Sequence, residues 1–96
     1  MPEAAIGLLR LELRLEHSHS LKDKRQVVRS LKDRLRHKFN VAVAETGGEE
    51  TWQRATVCVV TVSGDRAYAE GALSLVEAEA AAQLGPMLVG VQLEFW

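Results

Sequence analysis

From Ala5 to Glu16 apolar and charged residues take turns, with Leu9, Leu11, Leu13 and Leu15 set against Arg10, Glu12, Arg14 and Glu16. A period of two puts the leucines on one face of a strand and the charges on the other, wet face. His17-Ser18-His19-Ser20 breaks the alternation, and Ser20 with Asp23 fits a capping box at a helix start, Asp23 standing where Glu or Gln is usual. The period then changes. Leu21, Val27, Val28, Leu31 and Leu35 fall within one arc of roughly 120° on a helical wheel, which predicts a helix over Leu21–Lys38. Lys24 falls in the middle of that arc, in the first turn, where a long stem can snorkel past the core edge. Phe39 to about Thr46 alternates again, Gly47-Gly48-Glu49-Glu50 reads as a turn, and Trp52–Ser63 is the longest β-branched run, as expected of a central strand. Ser63-Gly64-Asp65 opens a second helix whose stripe is Ala69, Leu73, Val76, Ala80 and Leu84, and Gly85-Pro86 closes it. Met87–Trp96 is a last strand, with Met87, Val89, Val91, Leu93 and Phe95 on one parity.

The resulting order is β-α-β-β-α-β. A hairpin at the glycine turn and right-handed helical crossovers leave one simple closure, an α+β, ferredoxin-like sandwich. Its antiparallel sheet has strand order 4-1-3-2, with both helices on one face. At 96 residues the chain is expected to form a single domain over 1–96. Hydrophobic residues make up 47%, enough for a real core. The sole cysteine, Cys58, excludes an internal disulfide and is expected as a buried, inert thiol. No apolar stretch approaches the ~20 residues of a membrane helix, and the N-terminus lacks a secretory pattern, so a soluble cytoplasmic protein is expected. Arginine outnumbers lysine two to one, a weak sign of a heat-loving or GC-rich source.

Charge changes the picture more than composition does. Of the 12 Lys and Arg residues, eight lie between Leu21 and Lys38 with two acids, giving +6. The other four bases and eleven acids sum to −7, so a chain of net charge −1 is strongly polarised. Lys22, Arg25, Arg29, Lys32 and Arg36 recur at spacings of three and four, which aligns them in one stripe beside the apolar arc. The stripe is either a solvated face or a surface for a polyanion, most plausibly an RNA or DNA backbone. It spans about 21 Å at 1.5 Å per residue, long enough to follow several phosphates. A helix built only for stability would more often alternate signs. Five phosphate contacts would give a log–log salt slope of about −4 to −5 on a duplex.

Other candidates are weaker. His17 and His19 make an H-x-H pair, but a metal site needs further ligands that only His37 or nearby carboxylates could supply, so no metal and no cofactor is expected. Ser18, His19, Ser20, Lys22 and Arg25 could line a small anion pocket, as acylphosphatases do with the same topology. Base stacking on the sheet is not expected, because the third strand has no aromatic between Gln53 and Ser63. Both parities of that strand are apolar, with Cys58, Val60 and Val62 on one side. An uncovered set of this kind predicts a homodimer through the open sheet face, which Trp96 could seal. Trp52 is expected to pack over the sheet end, and Arg54 to pair with an acid such as Glu45.

The strings His19-Ser20-Leu21-Lys22-Asp23-Lys24-Arg25, Ser30-Leu31-Lys32-Asp33-Arg34-Leu35-Arg36, Phe39-Asn40-Val41-Ala42-Val43-Ala44-Glu45 and Trp52-Gln53-Arg54-Ala55 resemble the YlxP-like family of small bacterial proteins, which carry a domain of unknown function. The resemblance runs over essentially the full length and implies a ferredoxin-like fold. Genes of this family commonly sit among those for translation initiation and ribosome assembly, which implies a connection to RNA or the ribosome; it carries over no catalytic residue. The leading expectation is a non-enzymatic RNA-binding protein, ribosomal RNA or its assembly being the context. Lys22, Arg25, Arg29, Lys32 and Arg36 would hold phosphates, assisted by Lys24 and His19. The alternatives are a dimeric module whose basic helix docks an acidic protein, and a phosphate-handling enzyme using the Ser18–Arg25 loop.

Overall fold

The structure, a computed structural model, describes residues 3–47 and 51–96. Strand β1 (Ala5–Arg14) leads into helix α1 (Leu21–Lys38), then β2 (Ala42–Gly47), β3 (Arg54–Ser63), α2 (Arg66–Leu84), a single 3-10 turn (Gly85–Met87) and β4 (Leu88–Phe95). The sheet order is β2-β3-β1-β4, with every adjacent pair antiparallel. This is the ferredoxin-like α+β sandwich. Of the predicted turn, Gly48, Glu49 and Glu50 lie outside the described residues.

The alternation in β1 does what its period requires. Leu9, Leu11 and Leu13, continued by Leu15, are fully buried under the helices, while Arg10, Glu12 and Arg14 face the open side. Val28, Leu31 and Leu35 of α1 and Leu73, Val76, Ala80 and Leu84 of α2 close the core from above. Helix α2 lies over β1 and β3, and α1 packs beside it over β2. Ser20 caps α1 through its Oγ, which accepts from the Asp23 amide at 3.1 Å. The Asp23 carboxylate in turn accepts from the His19 amide at 3.0 Å, one residue further back than the usual reciprocal bond. Asp65 caps α2, accepting from the Ala67 amide at 2.9 Å. Gly85, at φ 57°, takes the left-handed exit that glycine allows.

Gly7 marks a close approach. A β-carbon there would lie 2.6 Å from Leu73 Cδ1 and 2.8 Å from Phe95 Cε2, so the missing side chain makes room for the ring of its cross-strand neighbour. The same ring carries Arg66, whose Cζ is 4.9 Å from the centroid.

Two local expectations are corrected. The single parity of Met87 to Phe95 is broken by a register shift between Glu12 and Leu13, so Leu88 pairs with Leu13 while Val89 is exposed. Cys58 is not buried: it stands half-buried on the open face, its Sγ 3.2 Å from Thr46 Oγ1.

The helices are locked together by Glu79 of α2, which receives Arg34 Nε at 2.6 Å and Lys38 Nζ at 2.7 Å. The bonds from Lys38 and then Arg34 hold its carboxyl below the ordinary glutamate range. A depressed folded value contributes stability above the unfolded pKa of about 4.3, lost as pH falls through the lower folded value. Glu79→Gln should therefore melt below the parent at pH 7, and the two melting curves should converge in acid. A gap that persists below pH 3 in a pH series of thermal melts would contradict this assignment.

Candidate nucleic-acid interface

The eight cations of α1 divide by helix face. On the side toward α2, Arg34 and Lys38 are spent on Glu79. On the inner face, Lys24 is only 2% exposed. Its Nζ lies 3.0 Å from Glu45 Oε2 and donates to the Thr51 carbonyl at 2.8 Å. Lys24 does not snorkel outward, and it leaves the surface set of anion contacts. Its position in the apolar arc points the stem under the helix, and the Glu45 carboxylate at the edge of β2 compensates the charge there.

The third face is different. Lys22, Arg25 and Arg29 are exposed and Lys32 is half-buried. Among the described residues none of these four has a carboxylate within 4.0 Å. Arg36 is partly committed: Nη2 donates to the Val43 carbonyl at 2.9 Å, and Nη1 lies 3.9 Å from Asp33. That bond ties the far end of the stripe to the free edge of β2. Between helix and edge runs a groove of about 250 Å³ lined by Arg25, Val28, Arg29, Lys32 and Arg36, with the acids Asp33 and Glu45 at its sides. The five expected stripe residues thus do share one face, four of them without a carboxylate partner among the described residues.

The loop before α1 satisfies itself. Ser18 is buried and its hydroxyl donates to the Ser20 carbonyl at 3.2 Å, while the His19 amide donates to the Asp23 carboxylate and the Asp23 amide to Ser20 Oγ. His17 and His19 are exposed. Among the described residues no group of three or more His, Cys, Asp or Glu is placed to hold a metal ion. No helix among them is long and apolar enough to cross a membrane.

On the open face the expected pairing of Arg54 with Glu45 is not formed, because Glu45 lies opposite buried Val57 on the helix side of the sheet, where it meets Lys24, while Arg54 points to the other side. Arg54 instead stands directly opposite Arg14, both exposed. Trp52, expected to pack over the sheet end, is 48% exposed. Further along, Arg10 bonds Gln92 Oε1 at 2.9 Å and Glu12 accepts from Thr56 Oγ1 at 2.8 Å, so these two β1 charges are satisfied across strands rather than along β1. At the far end Ile6, Val62 and Trp96 form an exposed apolar row, with Val60 next to it. Sequence reasoning missed the exposed Trp52 and the opposed arginines; the W-Q-R string was visible, but its partner on β1 was not.

Comparison with known proteins agrees with the fold. The structure superposes on the de novo designed protein Foldit4 with a TM-score of 0.62 at 14% identity, over 98% of this chain and 97% of that one. It matches a variant of SnoaB, a cofactor-independent oxygenase from Streptomyces nogalater, at a TM-score of 0.52 and 8% identity, over 99% and 92%. At such identities the likeness is one of fold. In sequence the chain is 37% identical over 71 residues to the uncharacterized protein YlxP of Bacillus subtilis (strain 168), covering 74% of this chain and 77% of the relative. Residues 6–92 match the profile of a protein family of unknown function, DUF503. With the stripe, the capped helix and the sheet order all in place around that match, the chain belongs to the DUF503 family.

Proposed function

We propose that this protein is a non-enzymatic RNA-binding protein that works on the ribosome or its assembly. The observation that carries this reading is the asymmetry of α1. The same helix neutralises its cations where it meets α2 and β2, yet among the described residues leaves Lys22, Arg25, Arg29 and Lys32 without a counter-charge on its free face. Like charges along one stripe repel, and a row of phosphates removes that repulsion. Contacts of this type read backbone and shape rather than bases. The reading is tested by RNA retention of the Arg25→Glu/Arg29→Glu protein at moderate salt, and unchanged retention would end it.

A second reading, homodimerisation through the open sheet, draws on the apolar row. Val62 and Trp96 are 61% and 63% exposed beside Ile6 at 42%. A two-fold axis near this row would bury all three side chains against their copies. Sedimentation velocity should then show a dimer that Val62→Asp converts to monomer without loss of helical signal. A parent that sediments as a monomer at 100 μM concentration, on the order of 10⁻⁴ M, refutes the dimer. The two readings are compatible, since the basic stripe overhangs β2 and the apolar row lies on the opposite side of the sheet.

A further inference from the structure

The open face satisfies its charges everywhere except at one end. Arg10 has Gln92 and Glu94, at 2.9 Å and 3.7 Å, and Glu12 has Thr56. Arg14 and Arg54 have each other. They are register partners on neighbouring strands, exposed, and among the described residues without a hydrogen bond or ion pair. Directly opposed like charges destabilise a sheet pair, and an anion held between two guanidinium groups reverses the sign of that contact.

Trp52 stands two residues before Arg54, half in solvent. Its two neighbours are both pinned. The Thr51 carbonyl accepts from Lys24 Nζ at 2.8 Å, and the Gln53 carbonyl accepts from the Leu15 amide at 2.8 Å. An exposed indole is thus presented on a fixed backbone rather than on a loose tip. The Lys24 bond also brings this segment to the first turn of α1, where Lys22 and Arg25 begin the stripe.

We propose that Trp52, Arg14 and Arg54 form a platform that stacks an unpaired base and grips its phosphate, so that the RNA bound along α1 is single-stranded. This rests on the RNA reading above and narrows it. An indole stacks on any base, which suits recognition without sequence preference. A duplex keeps its base faces buried and offers the platform nothing. The apolar row at Ile6 lies eight residues along β1 from Arg14, about 26 Å at 3.3 Å per residue, so a sheet-face dimer there leaves the platform open.

The test uses the full chain with a fluorescein-labelled 12-nucleotide oligouridine, a 12-base-pair RNA duplex and a poly-glutamate peptide. Trp52→Ala should weaken oligouridine binding about 10-fold with an unchanged salt slope, and Trp52→Phe should restore most of it. Duplex binding should not respond to either change. Arg14→Gln/Arg54→Gln should make the oligouridine slope shallower by about 0.7, the one phosphate the pair holds. In a Trp96→Phe background, oligouridine should quench the remaining indole fluorescence. Oligouridine affinity unaltered by Trp52→Ala, or an unquenched indole, overturns the platform. So does poly-glutamate binding as tightly as oligouridine and indifferent to Trp52. If Arg25→Glu/Arg29→Glu still weakens binding in those cases, the platform alone has failed. If no RNA binds, or that double variant binds normally, the broader reading falls and the platform with it.

Discussion

The Arg25→Glu/Arg29→Glu protein will bind RNA roughly 10- to 50-fold more weakly than the parent at about 0.15 M salt. Each phosphate contact to a single strand contributes about 0.7 to the log–log salt slope, which is a factor of about four per contact at that salt. Two lost contacts give about 15-fold, and the reversed sign adds repulsion. The salt dependence should become shallower by about 1.4 at the same time, a signature that general loss of structure would not produce. Stability should hold within about 0.5 kcal/mol, because both side chains are exposed and make no ion pair among the described residues. Glutamates at these positions even gain attraction to Lys22 and Lys32 at i,i+3 spacing. Weakened binding with an unchanged melting temperature therefore supports phosphate contacts by this stripe. An unchanged salt slope with weaker binding would place the phosphates elsewhere.

Lys24→Met will do the reverse, lowering stability and leaving RNA affinity intact. The Lys24 ammonium is 2% exposed, and its partner Glu45 has a side chain only 20% exposed. Removing one member of a buried pair leaves the other charge unpaired, at about 3–5 kcal/mol when burial is complete. The residual exposure of Glu45 lowers that to about 2–3 kcal/mol, since water partly solvates the remaining carboxylate. For a domain of this size the loss corresponds to a fall in Tm of about 10–20 °C. Lys24→Met/Glu45→Met should regain more than half of it, because an apolar pair of similar volume can replace a buried ion pair. Thermal melts of the three proteins decide the point. A neutral single variant would mean that the ammonium is solvated. A loss of RNA affinity in the folded single variant would return Lys24 to the binding surface.

The periodicities carried most of the fold. Alternation in β1 and the 3.6 period of Leu21–Lys38 are local properties, and they place side chains on faces whatever the rest of the chain does. The capping serine and the glycine exit of α2 were legible for the same reason. Legibility failed where an outcome depended on a partner distant in sequence. Lys24 was rightly placed in the apolar arc, yet the direction it takes depends on Glu45 and Thr51, brought beside it by the β2–β3 hairpin. Arg54 is separated from its expected acid by strand parity, since Glu45 pairs with buried Val57 on the helix side of the sheet. The parity slip at Leu88 and the half-exposed Cys58 are likewise products of pairing and layer coverage.

By itself, then, the chain determined the number, type and order of its elements and the alignment of five cations along one helix, because spacing along a regular backbone is enough for both. Only the tertiary structure decided which charges are neutralised internally, that Arg14 stands opposite Arg54, and that Trp52 is left exposed. Those contacts join residues some forty positions apart, and strand register, a cooperative property of the whole sheet, selects them.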